Sequence, residues 1–194
     1  MQTSARVMIF FIIGVMSANE DALYFYSRST NVPPGKGANE RVEFPAAYSA
    51  LSDRDNWRRT LSNFHAPTKP IRMDDGCTYM TIEHVFQAAK IRLADPEKAH
   101  HFTLESGHAI GAGDGASAQK MRKYVKLNKD QIADWDRQSA RVMQAAAEAL
   151  YGDPENAWER AVLLATNEAE LWHIVPRKPP ARFKHLEEIR ASLS

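Results

Sequence analysis

Hydrophobic positions along this chain recur mostly at helical spacing. From Thr81 onward, Ile82, Val85, Phe86, Ala89 and Leu93 follow one another at three- to four-residue intervals, which predicts an amphipathic helix capped by Thr81. Asp95-Pro96 opens another, the aspartate as cap and the proline at the first helical position, and the pattern carries it to about Ser106. Asn128 and Gln131 form a capping pair at the head of a long helix that stops at Gly152. Asp153-Pro154 repeats the cap-and-proline start for a helix through Leu164, and residues 182–193 read as a last amphipathic helix after a linker at 176–180. Strand signals are fewer. Residues 22–28 (ALYFYSR) alternate as a short aromatic strand, and 71–73 and 78–80 flank the turn Asp74-Asp75-Gly76 as a hairpin. Residues 31–39 are a loop on their proline and glycine content, 48–59 a short helix or loop, and 107–115 a flexible glycine-rich connector. The sum is α+β, predominantly helical with a small β-sheet or hairpin, in a single compact domain.

Composition changes this picture little. At 194 residues with 44% apolar, the chain can bury a sizeable core in one domain. A net charge of +1 excludes a polybasic arm or an acidic tail as the basis of function, while leaving room for a local basic pocket. The single cysteine, Cys77, excludes an internal disulfide framework and any CxxC site, and reads as a turn or strand residue. The N-terminus has two readings. Residues 7–16 (VMIFFIIGVM) are too short to span a bilayer, but with Arg6 before and Ser17-Ala18 after they suit a secretory h-region. Alternatively, translation starts at Met8 or Met16, the latter opening SANEDALYFYS. Residues 1–19 are accordingly set apart as an extension, signal-like or a start-site artefact, from a domain at 20–194. Without a signal at 1–18, the expected location is cytoplasmic or nuclear.

The candidate chemistry sits in residues 61–90. Glu83 and Lys90 are two helical turns apart on one face, about 10 Å along the axis, with Gln87 between them. A carboxylate and an amine so placed could be an acid/base and a nucleophile; the plainer reading is a solvated, weakly coupled charge pair. Gly35-Lys36-Gly37 lacks nucleotide-loop spacing, yet exposed amides with one lysine can hold a single phosphate, against the plainer reading of a solvated turn. The glycines at 111–115 do not match a dinucleotide fingerprint, though Asp114 among them could bind a ribose hydroxyl. His100 and His101 are adjacent rather than one turn apart, and His84 beside Glu83 does not complete a zinc helix, so no metal site is expected. His84 reads as a supporting or binding residue. Tryptophans 57, 135, 158 and 172 are core candidates; Trp135, between two aspartates, is the one placed to border a pocket and stack on a base. Arg28, at the end of the aromatic strand, is either a phosphate ligand or a surface charge.

Taken in order, Tyr24-Phe25-Tyr26-Ser27, Leu61-Ser62-Asn63-Phe64, the run TIEHVFQAAK at 81–90, Trp135, Arg141-Val142-Met143 and Leu163-Leu164-Ala165-Thr166 resemble the NADAR (YbiA-like) family over residues 22–173. The combination of the SNF loop with the EH…Q..K helix is what makes the resemblance specific. It implies an N-glycosidase with Glu83 and Lys90 catalytic and Asn63, Phe64 and Trp135 lining the pocket, joined by Tyr26. Some members cleave phosphoribosylated intermediates of riboflavin synthesis; others remove ADP-ribose from guanine in nucleic acid. Pro34-Gly35-Lys36-Gly37 and Trp57-Arg58-Arg59 ahead of the SNF loop resemble the guanine-directed branch, as does an ending without the aspartate and WGxG-like segment of the riboflavin type. The implied partner is ADP-ribosylated guanine in DNA, single-stranded by preference, or in RNA, with ADP-ribose as product. No cofactor and no membrane association are implied, and the oligomeric state is left open. In that chemistry Arg28, Lys36 and Gly37 would hold the diphosphate. Glu83 must be buried, because a carboxyl at the ordinary ~4.3 is too acidic to donate at neutral pH. Lys90 must be neutral, through desolvation or a cationic neighbour such as Arg92.

Overall fold

The computed structural model describes residues 20–194, so the apolar run at 7–16 lies outside the described residues. The chain opens with β1 (Ala22–Phe25), then the short helices α1 (Ser49–Ser52) and α2 (Trp57–Thr60). The hairpin β2 (Ile71–Arg72) and β3 (Thr78–Tyr79) leads into α3 (Ile82–Arg92) and α4 (Pro96–His100). After α5 (Gly115–Lys120) come the long α6 (Lys129–Gly152) and α7 (Ala157–Leu164), and the chain closes with β4 (Glu170–His173), β5 (Ala181–Arg182) and α8 (Lys184–Leu193). Helices dominate and the sheets are small, an α+β fold. No helix among the described residues is long and apolar enough to cross a membrane.

Most local starts obey side-chain chemistry. Thr81 accepts the His84 amide at the head of α3, and Asp95 accepts that of Lys98 at α4. The Asn128/Gln131 box is closed in both directions, satisfying two amides that the first turn of α6 would leave orphaned. The 71–79 hairpin forms in the expected register, Ile71 opposite Tyr79.

The differences lie where partners are distant or side chains intervene. α4 ends at His100 rather than near Ser106, because the Thr103 hydroxyl takes the His100 carbonyl (2.9 Å) and the Ser106 hydroxyl takes that of Thr103 (2.7 Å), turning the chain. Residues 107–115 are packed, not a flexible connector: a Cβ on Gly111 would lie 2.1 Å from the Thr103 carbonyl oxygen. The α5 helix that follows, capped by Asp114 through the Ser117 amide, goes unanticipated in the sequence pattern. The last helix starts at Lys184, and Arg182 belongs instead to β5.

The aromatic strand β1 pairs in parallel with β4, Leu23 opposite Leu171, and β5 adds antiparallel to β4. Parallel strands end on the same side, so the segments leaving β1 and β4 emerge together. The core beneath them is built on Leu23, Phe25 and Leu171, each fully buried. α3 lies at the centre of the helices, packed by α4, α5 and α6. It is buried almost all round, so Glu83, His84 and Gln87 are carried inside rather than on a wet face.

Candidate functional site

The SNF loop is fastened to the head of α3. The Asn63 carbonyl accepts the Glu83 amide (3.0 Å), one of the donors the first turn of the helix leaves unpaired. The Asn63 side-chain amide meets Met143 Sδ on α6 (3.1 Å), which gives the Arg141-Val142-Met143 run its place in the structure. On the other side, Gly115 seats the loop: a Cβ there would lie 2.5 Å from Phe64 Cα. Gly115→Ala is therefore expected to displace Phe64 and cost about 1–3 kcal/mol in stability, read from urea unfolding, as overpacking does. A variant as stable as the parent would mean the loop yields without strain.

Between this loop and the ends of β1 and β4 lies a cleft of about 470 Å³. Tyr26 and Arg28 come from the turn after β1, Asn63 and Phe64 from the SNF loop, Glu83 from α3, and His173 to Pro176 from the end of β4. The turn is closed by Ser29, whose hydroxyl accepts the Tyr26 amide (2.9 Å) and whose own amide reaches the Tyr26 carbonyl (3.1 Å). This fixes where Arg28 leaves the strand.

Glu83 is the chemically distinctive group. It is 6% exposed, and its Oε1 accepts a hydrogen bond from Gln87 Nε2 at 2.8 Å. Burial pushes its carboxyl up to about 7, against the Gln87 hydrogen bond and the charges of Arg122 and Lys90, which pull it down. At neutral pH the group is thus divided between acid and base forms. Two buried acceptors beside it lack partners among the described residues, Asn63 Oδ1 and Gln87 Oε1. Asn63 lines the cleft, so its oxygen is placed to take a hydrogen from a ligand. His173 in the same wall is held neutral, its imidazole pushed down to about 4 by burial.

Of the residues singled out in the sequence, Tyr26, Arg28, Asn63, Phe64 and Glu83 meet in this cleft. Asp114 lies in an adjoining lobe. Lys90 is half-buried two turns further along α3 and is not on the cleft wall, although its charge reaches Glu83. Arg92 does not neighbour it as a lowering cation: it turns away to Asp75 (2.8 Å) and the Tyr79 hydroxyl (3.1 Å). Trp135 is 7% exposed and edge-on to Phe86, with ring centroids 4.7 Å apart; it serves packing, not the cleft wall. His84 is fully buried and has both ring nitrogens occupied, by the Thr81 hydroxyl (2.8 Å) and the Ile110 carbonyl (3.0 Å), so it braces the 107–115 segment and offers nothing to a ligand. Burial lowers its pKa, which keeps it neutral for that task. Lys36 and Gly37 fail as a phosphate cradle because Glu40 already fills it, its Oε2 accepting the amides of Gly35 (2.8 Å) and Gly37 (2.9 Å).

The 173–176 wall of the cleft is not among the residues singled out in the sequence. The alternation in Leu171-Trp172-His173 ahead of Pro176 is the signal that could have marked the strand.

No protein-family model matches the chain, and no curated protein does. Among solved structures, the NMR structure of the E. coli protein YbiA is similar to it, with a TM-score of 0.49 and 26% sequence identity, over 72% of this chain and 77% of that one.

Proposed function

We propose that this chain is an N-glycosidase of the NADAR type that hydrolyses the bond between ADP-ribose and the exocyclic amine of guanine in nucleic acid. The observation that carries the reading is Glu83: a buried carboxyl, raised to about 7, on the wall of a cleft that also holds an arginine, an aromatic ring and an amide oxygen without a partner among the described residues. Cleaving a C1′–N bond needs a proton for the departing nitrogen, and a carboxyl poised near neutrality supplies it efficiently. Phe64 offers a face on which a base can stack, and Asn63 Oδ1 accepts from a sugar hydroxyl. The cleft continues past Phe64 and Arg28 into the adjoining lobe, which suits a substrate longer than a single ribose phosphate.

The sequence of bonds is as follows. The Lys90 amine adds to C1′ while the C1′–N bond breaks, and the guanine nitrogen leaves with the Glu83 proton. The ring oxygen then departs from C1′ with a proton handed over from the Lys90 nitrogen, opening the ribose to a free hydroxyl and a protonated Schiff base on Lys90. Water, deprotonated by the Glu83 carboxylate, hydrolyses the imine, releasing ADP-ribose and restoring both side chains. Because Lys90 stands off the cleft wall, its side chain must swing toward the sugar for this step.

Borohydride trapping with an ADP-ribosylated oligonucleotide tests that chemistry. A covalent adduct is expected with the parent protein and none with Lys90→Ala; equal adduct in the variant removes the lysine from the mechanism. Access sets a further expectation. A base inside a duplex must be extruded before it can enter the cleft, so a modified single strand is expected to turn over faster than the matched duplex.

A further inference from the structure

We infer that the lobe beyond Phe64 is a phosphate-binding subsite in which Arg59 and His65, and not Lys36, act with Arg28. The inference rests on the glycosidase reading of the cleft and names what holds the remainder of that substrate. The lobe has a volume of about 520 Å³, and Arg28 and Phe64 line it as well as the Glu83 cleft.

Arg28 and Arg59 are exposed and His65 is half-buried, so the lobe opens to solvent. Arg59 is anchored at one end, its Nε donating to the Ser29 carbonyl at 2.8 Å. Ser29 also closes the turn that carries Arg28, so the backbone that anchors Arg59 also positions the Arg28 main chain. The terminal nitrogens of Arg59 have no partner among the described residues, which leaves the paired donors that suit a phosphate edge.

His65 is held from behind. Its Nε2 lies 3.0 Å from Glu159 Oε1, and the Glu159 side chain is 1% exposed. The Thr68 amide (2.8 Å) and hydroxyl donate to the same carboxylate. Burial raises the Glu159 carboxyl, but these hydrogen bonds and His65 outweigh it and keep the group below its ordinary pKa, so it accepts and Nε2 donates. Nδ1 is left without a partner among the described residues, on a ring that lines the lobe; with Nε2–H given to Glu159, it donates to a phosphate oxygen only as imidazolium, with a second proton on Nδ1. A buried carboxylate and two threonine groups thereby hold one partly exposed imidazole in place. Asp114 is the one carboxylate in the lobe; its Oδ1 is committed to the Ser117 amide (2.7 Å), and it fits a sugar hydroxyl next to the phosphate rather than the phosphate itself.

The phosphate has two possible sources, the diphosphate of ADP-ribose or the backbone of the strand carrying the modified base. Calorimetric titration of the full chain and of Arg59→Met separates them, using ADP-ribose, inorganic pyrophosphate and an unmodified single-stranded oligonucleotide as probes. If the lobe takes the diphosphate, ADP-ribose and pyrophosphate bind at least tenfold more weakly to Arg59→Met while the oligonucleotide is unaffected. If it takes the strand, the oligonucleotide weakens and its salt dependence becomes shallower by about 0.7 in log–log slope, one phosphate's worth, with ADP-ribose unaffected. Arg59→Lys is expected to recover only part of either loss, since an ammonium cannot reproduce the fork. Arg28→Met, which breaks no side-chain hydrogen bond among the described residues, is the second variant should Arg59→Met fold poorly. Unchanged affinity for all three probes in folded variants overturns the subsite. Arg59-dependent binding without turnover keeps the subsite and removes the glycosidase; turnover with unchanged KM in Arg59→Met does the reverse.

Discussion

Glu83→Gln is expected to lose about 10²–10⁴-fold in turnover, the usual contribution of a positioned acid/base, while gaining stability at alkaline pH. The two effects share one cause. In the unfolded chain this carboxyl titrates near its ordinary 4.5, and in the folded protein near 7. Between those values the unfolded state sheds a proton that the native state keeps, so the unfolded state binds fewer protons and stability falls as pH rises. The contribution of Glu83 is fully present below 4.5 and is lost once pH has passed about 7, a difference on the order of 3 kcal/mol. Glutamine bears no charge and avoids the loss. The variant should therefore melt several degrees above the parent at pH 8 and level with it at pH 4.5. Equal melting at both pH values would show that the carboxyl is better solvated than the cleft suggests. In the parent, protonation of the departing nitrogen is expected to slow tenfold per unit above pH 7 as the acid form of Glu83 disappears, and the residual rate of Glu83→Gln should lack that limb.

The largest expected loss of stability comes from the pair Glu40–Arg58. Their side chains are 0% and 2% exposed, and the guanidinium grips the carboxylate at two points, Nε and one terminal nitrogen each at 2.7 Å. The same carboxylate holds the Gly35 and Gly37 amides, and Arg58 lies over the Trp57 ring. Glu40→Ala leaves a buried cation and those amides without their acceptor. It is expected to destabilise by about 3–5 kcal/mol, measured from the denaturation midpoint at constant slope. Glu40→Leu combined with Arg58→Met should recover much of this, because two buried charges are then exchanged for apolar volume. A single-variant loss below about 1 kcal/mol would mean that water reaches the pair, as at an exposed ion pair.

What the sequence discloses here is chiefly what neighbouring residues decide among themselves. Thr81, Asp95 and the Asn128/Gln131 box mark helix starts because each side chain caps an amide within three positions. The hairpin is legible for the same reason. The SNF loop and Glu83 are legible as motifs, and they do meet in one cleft. The errors came from partners that no local pattern displays. Lys36 and Gly37 look available until Glu40, three residues beyond Gly37, is seen to occupy the Gly35 and Gly37 amides. His84 looks like a ligand group until the 107–115 segment folds over it and takes its second nitrogen. Trp135 faces Phe86 across two helices, a contact spacing alone cannot reveal.

The parallel union of β1 with β4 joins the first described strand to one near the other end of the chain. During synthesis, Leu23 and Phe25 must therefore wait for almost everything else to be made before their permanent neighbour emerges. Such long-range pairing folds slowly and leaves an apolar edge uncovered meanwhile. A nascent chain halted before residue 170 would carry Glu83 but only half of the wall around it, so a complete cleft should arrive abruptly, with β4, rather than grow as the ribosome advances.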